Sequence, residues 1–190
     1  MARIIYLSRH GETDWNAEGR WQGHTDKPLN DRGREQARAL AETLRGAGLS
    51  GIVTSDLQRA KETGVIVAEA LGLAIDYVDP DLRERTIGVF EGLNREECER
   101  LHPEAWAAWI ERHVPPPGAE AQETLAERVT LAIGRAAERF AGAGAPVLLV
   151  THGGAMRAAL NRAGHAPAPV KNTGVWKLEW HGRIVRAEAF

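Results

Sequence analysis

Leu7-Ser8-Arg9-His10-Gly11-Glu12-Thr13 is the stretch in which this chain changes character. Ile4-Ile5-Tyr6-Leu7 before it is short, apolar and partly β-branched, the pattern of a buried strand. The chain then turns abruptly polar, and Gly11, with no Cβ, allows a sharp bend. Arg9 and His10 would therefore stand at the lip of a sheet, where open α/β folds keep their ligands. A capped strand running into an ordinary charged loop would read the same way, so this segment alone decides nothing. What decides is that the chain repeats the device. Pro146-Val147-Leu148-Leu149-Val150 is another apolar strand, and it ends in Thr151-His152-Gly153-Gly154.

Working outward, Asp14 to Leu29 has no helical or strand period and reads as a long ordered loop, with Trp15, Trp21 and Leu29 arguing against disorder. Asn30 caps a helix reaching about Arg45, whose Ala37, Leu40, Ala41 and Leu44 share one face. Gly51-Ile52-Val53-Thr54 is a strand, and Ser55-Asp56 after it is a cap signal for a helix carrying Leu57, Ala60, Gly64, Ala68 and Leu71 inward. Arg59 lies in the first turn of that helix, where the helix dipole disfavours a cation unless an anion is near. Leu73 to Val78 is a third strand candidate. Asn94 with Glu97 makes a capping-box pattern for a helical stretch to about His113, broken at Pro103, and Pro115-Pro116-Pro117-Gly118 is a stiff connector. A long helix follows from about Glu123 to Ala141, then the strand ending at Val150, a short helix with Met156 and Leu160, and a hairpin of Val175–Trp180 with Ile184–Phe190 turning on His181-Gly182. Strands alternating with helices predict a three-layer α/β/α sandwich with a mostly parallel central sheet and an antiparallel edge. The expectation is a single domain over 1–190 with a helical lid at about 94–118.

The 190 residues, 43% hydrophobic and 26% charged, suit a globular chain with a sizeable core. A formal net charge of −2 lacks the excess expected of a nucleic-acid binder. There is no membrane-length apolar run and no signal-peptide pattern at the N-terminus. The single cysteine, Cys98, precludes an internal disulfide and fits a cytoplasmic location. It lies in a polar helical segment with no base beside it and is assigned a structural role.

In a parallel sheet all strand ends point to one rim, which would gather Arg9, His10, Ser55, Arg59 and His152 beside helix N-termini rich in backbone N–H groups. Such a crowd of cations is relieved by a dianionic phosphate, whose oxygens match guanidinium groups in bidentate fashion. Neutral imidazole is also a nucleophile near neutrality, and the remaining cations would stabilise a phosphoryl group in transfer. The leaving alcohol then needs a proton donor, for which Glu84 and Glu91 are the candidates.

At this point a resemblance is plain. Leu7–Thr13 with Asn16, Gly19, Gln22-Gly23 and Asp26-Lys27-Pro28-Leu29 looks like the opening signature of the histidine phosphatase superfamily, in its phosphoglycerate-mutase-like branch. Thr54-Ser55-Asp56-Leu57-Gln58-Arg59-Ala60-Lys61-Glu62-Thr63, then Leu82-Arg83-Glu84 with Gly88–Gly92, then Val150–Gly154 are similar to its later motifs, in its order. The resemblance implies the phosphoglycerate-mutase-like fold and a catalytic set of His10 as nucleophile, Glu84 as acid and base, and Arg9, Arg59 and His152 on the phosphoryl group. Asn16, Gln22 and the Gly153 backbone N–H would assist in binding substrate. Family members of this kind need no metal and no cofactor. One departure is Gly118-Ala119-Glu120-Ala121, where relatives often read Gly-Gly-Glu-Ser.

The implied function is hydrolysis of small organic phosphate esters through a phosphohistidine. A cofactor-dependent phosphoglycerate mutase and a non-catalytic phosphate-binding regulatory module are the alternatives, and a metal-dependent phosphatase would want several carboxylates at the same rim. Glu91 is read as structural, and His24, His102, His165 and His181 as ordinary loop or surface residues. Whether Trp106, Trp109 and His113 wall the pocket or pack on the core stays open, as do the natural substrate and a homodimeric state.

Overall fold

The computed structural model describes residues 3–190. Its strands are β1 (Arg3–Arg9), β2 (Gly51–Thr54), β3 (Ile75–Val78), β4 (Val147–Thr151), β5 (Val175–Trp180) and β6 (Ile184–Ala189). Its helices are α1 (Asp14–Ala17), α2 (Asp31–Leu44), α3 (Gln58–Leu71), α4 (Arg95–Leu101), α5 (Pro103–Arg112), α6 (Gln122–Arg139) and α7 (Gly153–Arg162). One sheet holds all six strands in the order β3-β2-β4-β1-β5-β6. The first four in that order run parallel, and β5 and β6 continue the sheet antiparallel.

Alternation along the strands builds the layers. Ile5 and Leu7 of β1, Val53 of β2, and Val147 and Leu149 of β4 face α6 and α7. Tyr6, Ile52, Leu148 and Val150 face α2 and α3. Being covered on both faces, β4 is apolar up to its last residue and buried throughout. The phosphoglycerate-mutase-like α/β sandwich is therefore present, with two cores, one on each face of the sheet.

Register then places the functional strand ends side by side. Arg9 pairs with Thr151 across β1 and β4. The His10 N–H donates to the Thr151 carbonyl at 2.9 Å, and the Ser55 N–H to the Val150 carbonyl at 2.9 Å. The chain after β1 is held against the first turn of α2 by direct backbone contact. A Cβ on Gly33 would fall 2.1 Å from the Glu12 carbonyl oxygen, and one on Gly11 2.4 Å from the Gly33 carbonyl oxygen.

Between β3 and α6 the chain makes an excursion through α4 and α5, capped by Asn94 and Glu97 and divided at Pro103. Ile87, Phe90, Cys98 and Trp106 form a small core of its own there, in which Cys98 is fully buried.

Three local expectations need correction. The stretch from Asp14 is not all loop: Thr13 and Asn16 close a capping box over a single helical turn, α1. Ser55 and Asp56 do not cap α3: the Ser55 hydroxyl meets the Leu57 N–H at 3.3 Å, one residue ahead of the helix, and the Gln58 N–H is taken by the Asp26 carboxylate at 2.7 Å. The closing hairpin turns in three residues, His181 to Arg183, with Trp180 paired to Ile184 and Gly182 at a φ of 72°.

Gly33→Ala tests the backbone contact behind β1. Because the atoms that must give way are main chain, the substitution is expected to destabilise the fold by about 2 kcal/mol or more, read as a lowered midpoint in denaturant unfolding.

Candidate active site

At the end of β1, His10 is buried, and its Nδ1 lies 2.6 Å from the Gly11 carbonyl oxygen. A carbonyl only accepts, so Nδ1 carries the proton and Nε2 keeps its lone pair. The His10 carbonyl in turn accepts from Asn172 Nδ2 at 3.1 Å and from the Thr173 N–H at 3.3 Å. Thr173 reaches that position with a φ of 55°, a costly conformation for a β-branched residue. Asn172 Nδ2 also donates to Asn16 Oδ1 at 3.3 Å, and the Thr13 N–H and hydroxyl each donate to that oxygen at 3.2 Å. With its carbonyl oxygen so occupied, the Asn16 amide has its NH2 group left for the crevice it lines.

Arg59, from the first turn of α3, is fully buried and paired with no carboxylate. Its terminal nitrogens donate to the Thr25 and Gly23 carbonyls at 2.9 Å each, and Nε to His152 Nδ1 at 3.3 Å. The alternative partners are engaged elsewhere: Asp56 with Arg83, and Glu62 with the Leu29 N–H and Gln58. Since His152 Nδ1 accepts, its proton sits on Nε2, which donates to the Ser55 hydroxyl at 2.9 Å. The His10 and His152 rings stand 5.1 Å apart, centroid to centroid. Arg9 donates to the Val170 carbonyl at 2.8 Å, and its buried Nε–H has no partner. An orphaned buried donor on a cation is an invitation to an anion.

Electrostatics follow from this burial. Both imidazoles are held well below their ordinary pKa, first by burial and then by the charge of Arg59, so both are neutral around pH 7. Desolvation also brings the Arg59 guanidinium down to about 10. It brings Arg9 down as well.

Glu84 approaches from across the rim, at the N-terminus of α7. Its Oε2 accepts the Gly154 N–H at 2.9 Å and its Oε1 the Arg85 N–H at 2.8 Å. A Cβ on Gly154 would stand 2.3 Å from Glu84 Oε1, so the second glycine of the His152-Gly153-Gly154 run makes room for this carboxylate. Arg9, His10, Asn16, Gln22, Arg59, Glu84 and Gly153 all line one crevice of about 760 Å³. His152 is the exception, fully buried behind His10. Gln22 is buried with its Oε1 unpartnered. Trp109 and His113 join the lining, whereas Trp106 packs inside the small core. Among the described residues no three His, Cys, Asp or Glu side chains cluster as metal ligands would.

Glu91 is structural. Its carboxylate accepts from the His24 and Ile87 N–H groups and the Thr25 hydroxyl, at 3.2–3.3 Å, tying the 19–29 loop to the excursion. His24, read as an ordinary loop residue, has more to do: its Nε2 lies 2.7 Å from the Glu84 carbonyl. Arg128 of α6 was missed altogether. Its guanidinium donates to the Asp81, Arg83 and Glu84 carbonyls at 2.8–2.9 Å while forked onto Glu120 at 2.7 and 2.8 Å. Neither residue has a sequence signal, because each grips a main-chain carbonyl far away in the chain. The Asn172 role was likewise hidden in a turn-like Lys171-Asn172-Thr173-Gly174.

Several known proteins resemble this chain in sequence and fold. The family profile described as histidine phosphatase superfamily (branch 1) matches residues 5–189. The chain is 40% identical over 163 residues to phosphoglycerate mutase-like protein 4 of Arabidopsis thaliana, covering 84% of this chain and 70% of that one. It is 39% identical over 158 residues to metal-independent phosphoserine phosphatase of the same plant, covering 81% and 66%. Its fold matches mycobacterial glucosyl-3-phosphoglycerate phosphatase complexed with VO3 at a TM-score of 0.83 and 31% identity, over 99% and 97% of the two chains.

The depressed imidazoles make a pH prediction. In the unfolded chain both histidines take up protons below about pH 6.5, while in the folded chain they resist. Stability is therefore expected to fall as the pH drops from 6.5 towards 5, with each histidine adding a slope of up to about 1.4 kcal/mol per pH unit. Thermal midpoints measured across that window should flatten in the double variant His10→Gln/His152→Gln; an unchanged slope would show the two rings to be freely protonated in the fold.

Proposed function

Since the chain belongs to the histidine phosphatase superfamily, branch 1, we propose that it hydrolyses small organic phosphomonoesters through a covalent phosphohistidine on His10. The observation that carries this reading is the Nδ1–Gly11 contact at 2.6 Å, which fixes the tautomer of a buried neutral imidazole and leaves Nε2 as the attacking atom.

Arg9, Arg59 and His152 hold the phosphoryl oxygens, with the Asn16 amide and the Gly153 N–H as further donors. His152 does so by changing tautomer once an anion draws the Arg59 guanidinium off Nδ1: its proton passes from Nε2 to Nδ1, and the Ser55 hydroxyl turns to donate to Nε2. In the first step a bond forms between His10 Nε2 and phosphorus as the ester P–O bond breaks, and Glu84 in its acid form gives its proton to the departing oxygen. The fixed cations meet the charge on the equatorial oxygens in a site that needs no rearrangement. In the second step water attacks phosphorus, the Glu84 carboxylate takes a proton from it, and inorganic phosphate leaves with His10 restored. Gln22, with its unpartnered Oε1, serves as a neighbouring polar contact for substrate. Helices α4 and α5 act as a lid within a single catalytic domain. No described helix is long and apolar enough to cross a membrane, and the unpaired, buried Cys98 suits the reducing cytoplasm as the compartment.

The decisive experiment supplies aryl and alkyl phosphates in excess chelator and follows phosphate release. His10→Gln is expected to lose activity by a factor of about 1,000 or more. Glu84→Gln, given an aryl ester whose leaving group needs little acid help, should accumulate an acid-labile, alkali-stable phosphoenzyme. Full activity in His10→Gln would end the phosphohistidine reading, and conversion of 3-phosphoglycerate to its 2-isomer without net phosphate release would assign a mutase instead. Gly154→Ala, by driving a methyl group into the Glu84 carboxylate, should lower kcat about tenfold or more with KM little changed for alkyl esters.

A further inference from the structure

A phosphoryl group held by Arg9, His10 and Arg59 would fill only a small part of the crevice. The remaining space belongs to the alcohol half of the ester, within a volume of about 760 Å³ that falls in the range of pockets built for ligands much larger than phosphate. Its walls are uneven in an informative way. Of the four tryptophans in and around the 14–29 loop and the excursion, Trp15 carries the Lys27 ammonium over its ring at 4.6 Å and lies against Gly92, outside the crevice. Trp106 is buried with Phe90. Trp21 and Trp109 instead both line the crevice, with ring centroids 5.6 Å apart.

That pair is built rather than accidental. The Trp21 N–H donates to the Leu93 carbonyl at 3.0 Å, and the Gly92 N–H donates to the Trp21 carbonyl at 2.8 Å, so the backbone of the 14–29 loop is stitched to the excursion at this residue. Trp109 is braced from below by the fully buried Phe90 at 5.5 Å. The Arg85 guanidinium lies over the Trp109 ring at 5.6 Å, its Nε–H fixed to the Glu120 carbonyl at 2.7 Å. Yet Trp21 remains 36% exposed, among the more exposed large apolar side chains of the described residues. A braced aromatic wall left wet at the mouth of a catalytic crevice gains most when a ligand dries it. Ile87 and Leu125, both buried, back the same crevice.

We infer that Trp21 and Trp109 form a subsite for a flat apolar group in the alcohol half of the substrate, so that the chain selects phosphomonoesters of aromatic-bearing alcohols over those of small alkyl alcohols. The inference rests on the proposed phosphatase reading for its reaction but on the aromatic wall for its selectivity. Preorganisation is what gives the wall its effect, since neither ring has to be gathered from solvent when substrate arrives.

The test compares 2-(1-naphthyl)ethyl phosphate with ethyl phosphate, whose oxygens leave equally well because two carbons separate the ring from the ester. The wild-type chain should favour the naphthyl ester by roughly tenfold or more in kcat/KM. Trp21→Ala and Trp109→Ala should each bring that ratio severalfold towards unity, while Trp15→Ala, outside the crevice, leaves the ratio where it was. Trp21→Ala decides the matter if loss of Trp109 unsettles the small core. The corresponding phosphonates, which cannot be hydrolysed, read the same preference by titration calorimetry. A naphthyl phosphonate that binds more tightly in a Trp21-dependent way upholds the subsite even if neither ester turns over, an outcome that would count against the phosphatase reading alone. Equal wild-type preference for the two esters and the two phosphonates, or a ratio untouched by both tryptophan variants, overturns the subsite.

Discussion

A buried guanidinium with no carboxylate of its own governs this molecule. Arg59 lies in the interior with its terminal nitrogens on the Gly23 and Thr25 carbonyls and Nε on a neutral imidazole. Neutral acceptors satisfy its N–H groups, and Glu84, Asp26 and Glu91 act on its charge only without direct pairing, so much of the positive field is kept for an anion. A salt bridge at the same place would have been easier to bury and useless for holding phosphate. The consequences spread outward. Burial beside that charge keeps both histidines unprotonated. The carbonyls that Arg59 draws in also explain why a 16-residue stretch, Asp14 to Leu29, with only one helical turn is ordered at all.

Around this cation the chain relies on main-chain geometry more than on side-chain pairing. Glycine meets backbone behind β1, where Gly11 and Gly33 leave no room for a methyl group. Thr173, in the left-handed region, shares its N–H between the Arg9 and His10 carbonyls, and Asn172 beside it orients both the His10 carbonyl and the Asn16 amide. Arg128 and His24 grip the Glu84 carbonyl from opposite elements. The strain at Thr173 is sustained by its neighbours, since Gly174 bonds β1 through the Arg9 N–H at 3.1 Å.

These two features decide which parts of the fold are legible in the sequence. The sheet is legible because Ile5–Leu7 of β1 and Val147–Val150 of β4 are buried between two layers and so must be apolar, which makes the polar Ser8-Arg9-His10 and Thr151-His152-Gly153 that follow them visible. The shared rim followed from parallel strands alone. The capping of α2 and α4 was legible because Asn30 and Asn94 act within their own turn. What stayed hidden depends on distant partners. The first N–H of α3 goes to Asp26, 32 residues away, while the Ser55 hydroxyl serves the Leu57 N–H ahead of the helix and a histidine 97 residues away. Thr13 and Asn16 did form a capping box, but in a loop with no apolar period to flag a helix. Whether Trp109 faced core or crevice turned on how the excursion folds over the rim, a matter of tertiary packing that three-residue spacing within α5 cannot settle.

The excursion has a cohesive interior of its own, separate from the two that clothe the sheet. Apart from the ties made at Trp21, Glu91 and Glu84, that interior shares few neighbours with the two sheet cores, and sites without shared neighbours vary nearly independently. Such a partition would let residues of one small module change which molecules the crevice admits while the rim residues stay in place.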